Sequence, residues 1–167
     1  MKYIAPFILI ATVFILIFSC NDVQENNNNG AVGPGGWLKG SSDEKFETVA
    51  GQLRGFDATM VEVGYRYQEL YWAGQDENWD YASYQVEKIE TTLKNGFERR
   101  PKREKSGTHF LNYVLPEIKK TIESRDTTNF NKGFVMLTSN CNSCHTMEKV
   151  PFFTIKVPTD RQSPIRK

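Results

Sequence analysis

Phe46, Val49, Leu53, Phe56, Met60, Val63, Tyr67 and Leu70 stand three and four residues apart within the stretch 42–74, SDEKFETVAGQLRGFDATMVEVGYRYQELYWAG. That spacing follows the turn of an α-helix and draws one apolar seam along it. The reading is a single bundle helix beginning at Ser42 and ending at Ala73-Gly74. Ser42 or Asp43 caps its start, the acidic Asp43 and Glu44 suit its positive end, and Gly74 supplies the left-handed residue at its stop.

Towards the C-terminus the same periodicity returns. Gln75 to Asn78 is a short turn, and Asn78 caps a second helix with the stripe Trp79, Ala82, Val86, Ile89, Leu93 and Phe97. This helix ends near Asn95-Gly96 or frays into Arg99-Arg100-Pro101. Residues 99–108 read as a basic loop. Pro116 leaves two versions of the third helix, one starting near Pro116 and one running from Thr108 with a kink, because proline suits a first turn and disrupts an interior. Ile118 and Ile122 mark its buried side. A fourth helix starts near Asp126 to Thr128, with Phe130, Phe134, Leu137, Cys141 and Cys144 spaced 4, 3, 4, 3. Strand-like alternation and internal repeats are absent from the sequence before residue 152. Short connections favour antiparallel neighbours, so the expected fold is all-α, an antiparallel four-helix bundle over residues 42–153.

Towards the N-terminus the pattern changes. Lys2 precedes an apolar run from Ile4 to Phe18, which is followed directly by Ser19-Cys20. The run is shorter than the roughly 20 residues that span a bilayer and suits a signal-peptide core. Ile17-Phe18-Ser19-Cys20 resembles the lipobox of bacterial lipoproteins, which implies cleavage after residue 19 and a lipid on Cys20. The alternatives are an uncleaved anchor or ordinary cleavage. Residues 20–41 hold the asparagine run Asn26 to Asn29 and a glycine-rich segment from Gly30 to Gly36. Such composition buries too little apolar surface to fold and reads as a tether, with a reach of roughly 25 Å. The expected location is the cell envelope of a bacterium, lipid-anchored at a periplasmic or outer-membrane face. Residues 154–167 form a C-terminal tail.

The chain has 167 residues, with 21 Lys and Arg against 20 Asp and Glu. This balance gives no whole-chain reason to expect nucleic acid as a partner. Its three cysteines are too few for a disulfide framework or a four-thiolate zinc site. Two of them lie in Cys141-Asn142-Ser143-Cys144-His145, and C-x-x-C-H reads as a c-type haem attachment motif. Residues three apart share a helix face, so both thiols reach the two vinyl groups of one haem edge, and His145 swings under the ring to bind iron. Thioredoxin-like redox pairs also use C-x-x-C, but at a strand-to-helix junction. A zinc site would need a donor beyond Cys141, Cys144 and His145, and a plain disulfide leaves His145 without a role.

A four-helix bundle with this motif near the end of its fourth helix resembles the cytochrome c′ family. Cys141, Asn142, Ser143, Cys144 and His145 carry the resemblance, with Lys149 four residues on. It implies one covalent haem c held by Cys141 and Cys144, His145 as proximal iron ligand and Lys149 close to the proximal face. It also places the distal side on the first helix, where an apolar residue leaves iron open to small gases and a methionine makes an electron carrier. Met60 lies on that helix's stripe and is the candidate distal ligand; the alternative is that it fills core space. Met136 shares a helix with His145, Met147 follows it by two, and His109 at the start of the third helix is a weaker candidate. Tyr65, Tyr67 and Phe56 could line the distal wall or be ordinary core aromatics.

Three functions follow as expectations. The first is a membrane-tethered one-electron carrier with a redox partner protein. The second is a five-coordinate haem protein binding nitric oxide or carbon monoxide, and the third a haem-bearing accessory subunit of a membrane oxidoreductase. An enzyme is not expected, since no distal acid–base pair is evident. The run Arg99, Arg100, Lys102, Arg103, Lys105 could steer an acidic partner or be a solvated loop.

Overall fold

The computed structural model describes residues 30–162, so the apolar leader, Cys20 and the asparagine run lie outside the described residues. Two compact units divide the chain, Met1–Gln52 and Leu53–Lys167. Among the described residues the structure is helical and contains no strand; the sole bridge joins Val32 and Leu38.

In the first unit Val32 and Leu38 exchange backbone hydrogen bonds of 2.9 and 3.1 Å around a turn at Pro34–Gly36. The Trp37 indole lies against Gly33 so closely that a Cβ there would stand 2.6 Å from its Nε1. Helix α1 (Ser42–Gln52) follows. Its cap is Ser41, rather than Ser42 or Asp43. The Ser41 backbone N–H donates to Glu44 Oε2 at 2.7 Å, and the Glu44 N–H donates to Ser41 Oγ at 3.3 Å. This reciprocal pair is a capping box, and its hydrogen bonds hold the Glu44 carboxyl below its ordinary range.

The expected single first helix is two helices. After α1 the chain turns at Leu53, Arg54 and Gly55, and α2 (Phe56–Gln75) begins. Gly51 and Gly55 each weaken helix by about 1 kcal/mol relative to alanine. Arg54 takes a left-handed φ of 60°. Its carbonyl accepts from Arg100 Nη2 at 2.9 Å, and its guanidinium pairs with Asp57 at 2.5 Å. The apolar stripe divides accordingly: Phe46 is 73% exposed and no residue of α1 is buried, whereas Tyr67 and Leu70 on α2 are core.

Helix α3 (Trp79–Arg99) starts at Asn78, whose Oδ1 accepts from the Tyr81 N–H at 3.3 Å. The stop before it differs from expectation. Helix α2 continues through Gly74 to Gln75, and Glu77 supplies the left-handed residue with φ 54°. Gly74 serves packing instead, since a Cβ there would lie 2.1 Å from the Phe130 ring.

The basic stretch is not all loop. A tight turn at Pro101–Arg103 leads into α4 (Glu104–His109), a π-helical turn at Phe110–Val114, and α5 (Leu115–Glu123). These three form one continuous rod, longer at its start than either version expected. Pro116 lacks an N–H and would crowd the carbonyl four residues back. The wider turn before it, where the Leu115 N–H reaches Phe110 O, lets the helix pass the proline.

Helix α6 (Thr127–Met147) is capped by Asp126, whose Oδ1 accepts from the Asn129 N–H at 2.6 Å. Residue pairs give the directions. Glu69 meets Tyr81 while Thr59 meets Arg99, so α2 and α3 run antiparallel. Lys119 meets Glu90 while Arg125 meets Asp80, and the same holds for α5 against α3. Gly74 meets Phe130 while Tyr67 meets Thr138, which closes the ring with α6 against α2. Inside lie Leu70, Val86, Ile89, Leu115, Ile118, Phe130 and Phe134, all no more than 1% exposed.

Candidate functional site

The last two turns of α6 carry Cys141, Cys144 and His145. The helix persists this far because Phe130, Phe134 and Leu137 anchor its stripe in the core, and Cys141 packs against the same cluster. Both thiols are half-buried, one turn apart, and joined to no other cysteine among the described residues. Burial pushes the Cys141 thiol up to about 12 and raises Cys144 as well. Cys144 Sγ donates to the Ser106 carbonyl at 3.8 Å. Burial thus disfavours the thiolate form at both positions.

His145 is fixed from outside its helix. After Met147 the chain turns back: the Val150 N–H donates to His145 O at 2.9 Å, and the Phe153 N–H to Val150 O at 3.0 Å. This return brings the Phe153 carbonyl to 2.5 Å from His145 Nδ1. A carbonyl can only accept, so Nδ1 carries a proton, and in the neutral ring the lone pair is on Nε2. Asn142 holds the returning chain at a second place. Its Oδ1 accepts from the Ile155 N–H at 2.7 Å, and its Nδ2 donates to Ile155 O at 2.9 Å.

The chain then runs on against α2. The buried Tyr67 hydroxyl pairs with Thr138 Oγ1 at 2.7 Å and donates to Lys156 O at 3.1 Å. Arg161 grips both oxygens of Asp76 at 2.6 and 2.9 Å and lies 4.7 Å over the Trp72 ring. The tail is therefore docked as far as Arg161, and residues 163–167 lie outside the described residues.

Lys149 is exposed at a left-handed φ of 61°, just past the end of α6. Its neighbour Glu148 bonds Arg103 and Ser106, tying the basic segment to the helix end that carries the motif. Lys102 and Lys105 project from that segment into solvent.

Met60 is half-buried against the core cluster. Its level follows from the register: Tyr67 faces Thr138, and seven residues along each antiparallel helix lead to Met60 and His145. Met60 lines a groove of about 400 Å³ with Val61, Gly64, Tyr65, Gln68, Glu69 and Gln162, none of them in the motif. Beside it, a side chain at Gly64 would meet open space. His109 stands apart, stacked on Tyr113 at 5.3 Å. Tyr65 is exposed, and Phe56 stacks on Phe97 at 5.2 Å.

These residues fit a covalent haem. Two thiols outside any disulfide share one face of α6, and the adjacent imidazole has Nδ1 held by a carbonyl. A zinc ion would need a further donor, and no group of three His, Cys, Asp or Glu gathers among the described residues. Spacing in the sequence marks the thiols and His145; Ser106 comes to the site only through the packing of α4 against α6, and the Phe153 carbonyl only through the folding-back of the chain.

Comparison with family models, with curated proteins and with solved structures finds no match to this chain.

Proposed function

We propose that this protein is a monohaem c-type cytochrome of the c′ kind, acting in one-electron transfer and tethered to a bacterial membrane through a lipid on Cys20. One observation carries the reading. His145, directly after two free thiols one helical turn apart, has Nδ1 held by a backbone carbonyl and Nε2 left for a metal. A bound haem would supply an iron that cycles between two oxidation states.

The chain's own residues do the rest. Cys141 and Cys144 would hold the group as thioethers, so that a protein outside the cytoplasm would keep it. The Phe153 carbonyl fixes the His145 tautomer and strengthens the imidazole as a donor. Met60, level with His145 across the α2–α6 pair, would be the distal ligand of such a carrier. Lys149, Lys102 and Lys105 give the motif end a positive face towards an acidic redox partner. A second reading, a small-gas binder with an open distal position, is favoured by the open space at Gly64 and by Met60's packing against the core.

Expression in a host that matures c-type cytochromes tests the proposal. The wild-type chain is expected to keep its haem through denaturing electrophoresis and to give a c-type haemochrome spectrum, and Cys141→Ser with Cys144→Ser to lose both. Haem that survives denaturation in the double variant, or a wild-type chain without haem, overturns the assignment.

A further inference from the structure

We propose that Asn142 is a positioning residue for His145, acting through the returning segment 150–155. The inference rests on the haem reading of His145 and adds a residue which that reading does not use.

Asn142 lies three residues before His145, so the two share a face of α6. Its amide meets Ile155 through both the N–H and the carbonyl, at 2.7 and 2.9 Å, as a neighbouring strand would. Two residues earlier on the returning segment, the Phe153 carbonyl meets His145 Nδ1. The segment is thus pinned at two points to the motif itself.

The other side chains around the motif bond differently. Ser143 Oγ returns to Ser139 O at 3.0 Å, and Thr146 Oγ1 returns to Asn142 O at 3.0 Å. Both bonds stay within the helix. Asn142 is the intervening motif residue whose side chain reaches the returning segment, and it fixes where the Phe153 carbonyl sits.

The consequence is electronic as well as structural. A carbonyl accepting from Nδ1–H raises the basicity of Nε2 and favours the oxidised metal. Without Asn142 the carbonyl loses its nearest side-chain anchor. It is left to the local turn, in which the Phe153 N–H donates to Val150 O and Thr154 Oγ1 donates to Pro151 O at 3.1 Å, and to the more distant bond from Tyr67 to Lys156 O. The imidazole then becomes the weaker donor.

The test uses the full-length holoprotein with Asn142→Ala and, as a control on the same segment, Thr154→Ala. In Asn142→Ala the Ile155 amide should exchange about tenfold faster, the scale of one lost hydrogen bond. Its midpoint potential should rise while covalent haem content is unchanged. Thr154→Ala should match the wild type in potential. Asn142→Ser keeps a polar side chain too short for both bonds. It must reproduce the two shifts, and it stands in if Asn142→Ala folds poorly.

An unchanged Ile155 exchange rate overturns the proposal, as does faster exchange with an unchanged potential or an equal shift in Thr154→Ala. Absence of covalent haem from the wild type overturns the functional reading instead. The clamp is then judged by Ile155 exchange together with the His145 tautomer from nitrogen NMR. The Nδ1-protonated form should dominate in the wild type and be depleted in Asn142→Ala; no difference between the two chains sinks it.

Discussion

Met60 and Cys141 show how differently two candidate residues can be read. The spacing from Cys141 to His145 is local, so it is legible without knowing where the rest of the chain goes. Met60's relation to His145 depends on the α2–α6 register, which Tyr67 and Thr138 set through a 2.7 Å contact. Apolar Phe152, Phe153 and Ile155 suggest a segment that folds back, but the Asn142–Ile155 pair was not legible, because no periodicity says which residue of a returning segment meets the helix. Met60→Leu separates ligand from filler. The exchange nearly conserves volume, so stability should fall by less than about 1.5 kcal/mol. If Met60 binds iron, the near-infrared charge-transfer band of methionine–iron ligation disappears in the variant. A band present in both chains, or in neither, removes Met60 from the iron.

Element by element, the stripes of the bundle helices were read well and the stripe of α1 was not. Val86, Ile89, Phe130, Phe134 and Leu137 are buried, as their spacing requires. Phe46 and Val49 share that spacing and are exposed, because periodicity marks a face without saying what covers it. The break between α1 and α2 needed Arg100 to catch the Arg54 carbonyl, a bond spanning 46 residues that no local window contains. Helix approach was equally hidden. Gly74 looks like a helix stop and is a contact, with the Phe130 ring where its side chain would be. Gly74→Ala should therefore destabilise the bundle by about 1–3 kcal/mol, the usual cost of overpacking, despite alanine's higher helix propensity. Urea unfolding reads this directly; a variant as stable as the wild type would mean that α2 and α6 are not in this close register.

For the molecule as a whole, two phenols couple bundle stability to alkaline pH. Burial pushes Tyr67, which bridges α2 to α6 and to the tail, from 10 up to about 12. Tyr81 on α3 donates to the buried Glu69 of α2 at 2.7 Å and is raised further, by desolvation first and then by that carboxylate. Below pH about 10 both phenols are protonated in the folded and unfolded chains, and neither adds a pH dependence. Above it the unfolded chain gives up these protons first, so the folded state binds more of them and stability falls as pH rises. For Tyr67 the loss runs from about 10 to about 12, and for Tyr81 it continues beyond. The urea midpoint of the holoprotein should be level from neutrality to pH about 9 and then drop. Tyr67→Phe gives up about 1 kcal/mol at neutral pH with its hydrogen bonds. It should nonetheless show a shallower alkaline decline than the wild type, with the part between pH about 10 and 12 missing. With haem bound as proposed, the Cys141 and Cys144 thiols would be thioethers and would not titrate, and the slope would belong to the tyrosines. A decline of wild-type steepness in Tyr67→Phe would mean that the α2–α6 seam around Tyr67 admits water and its phenol ionises in place.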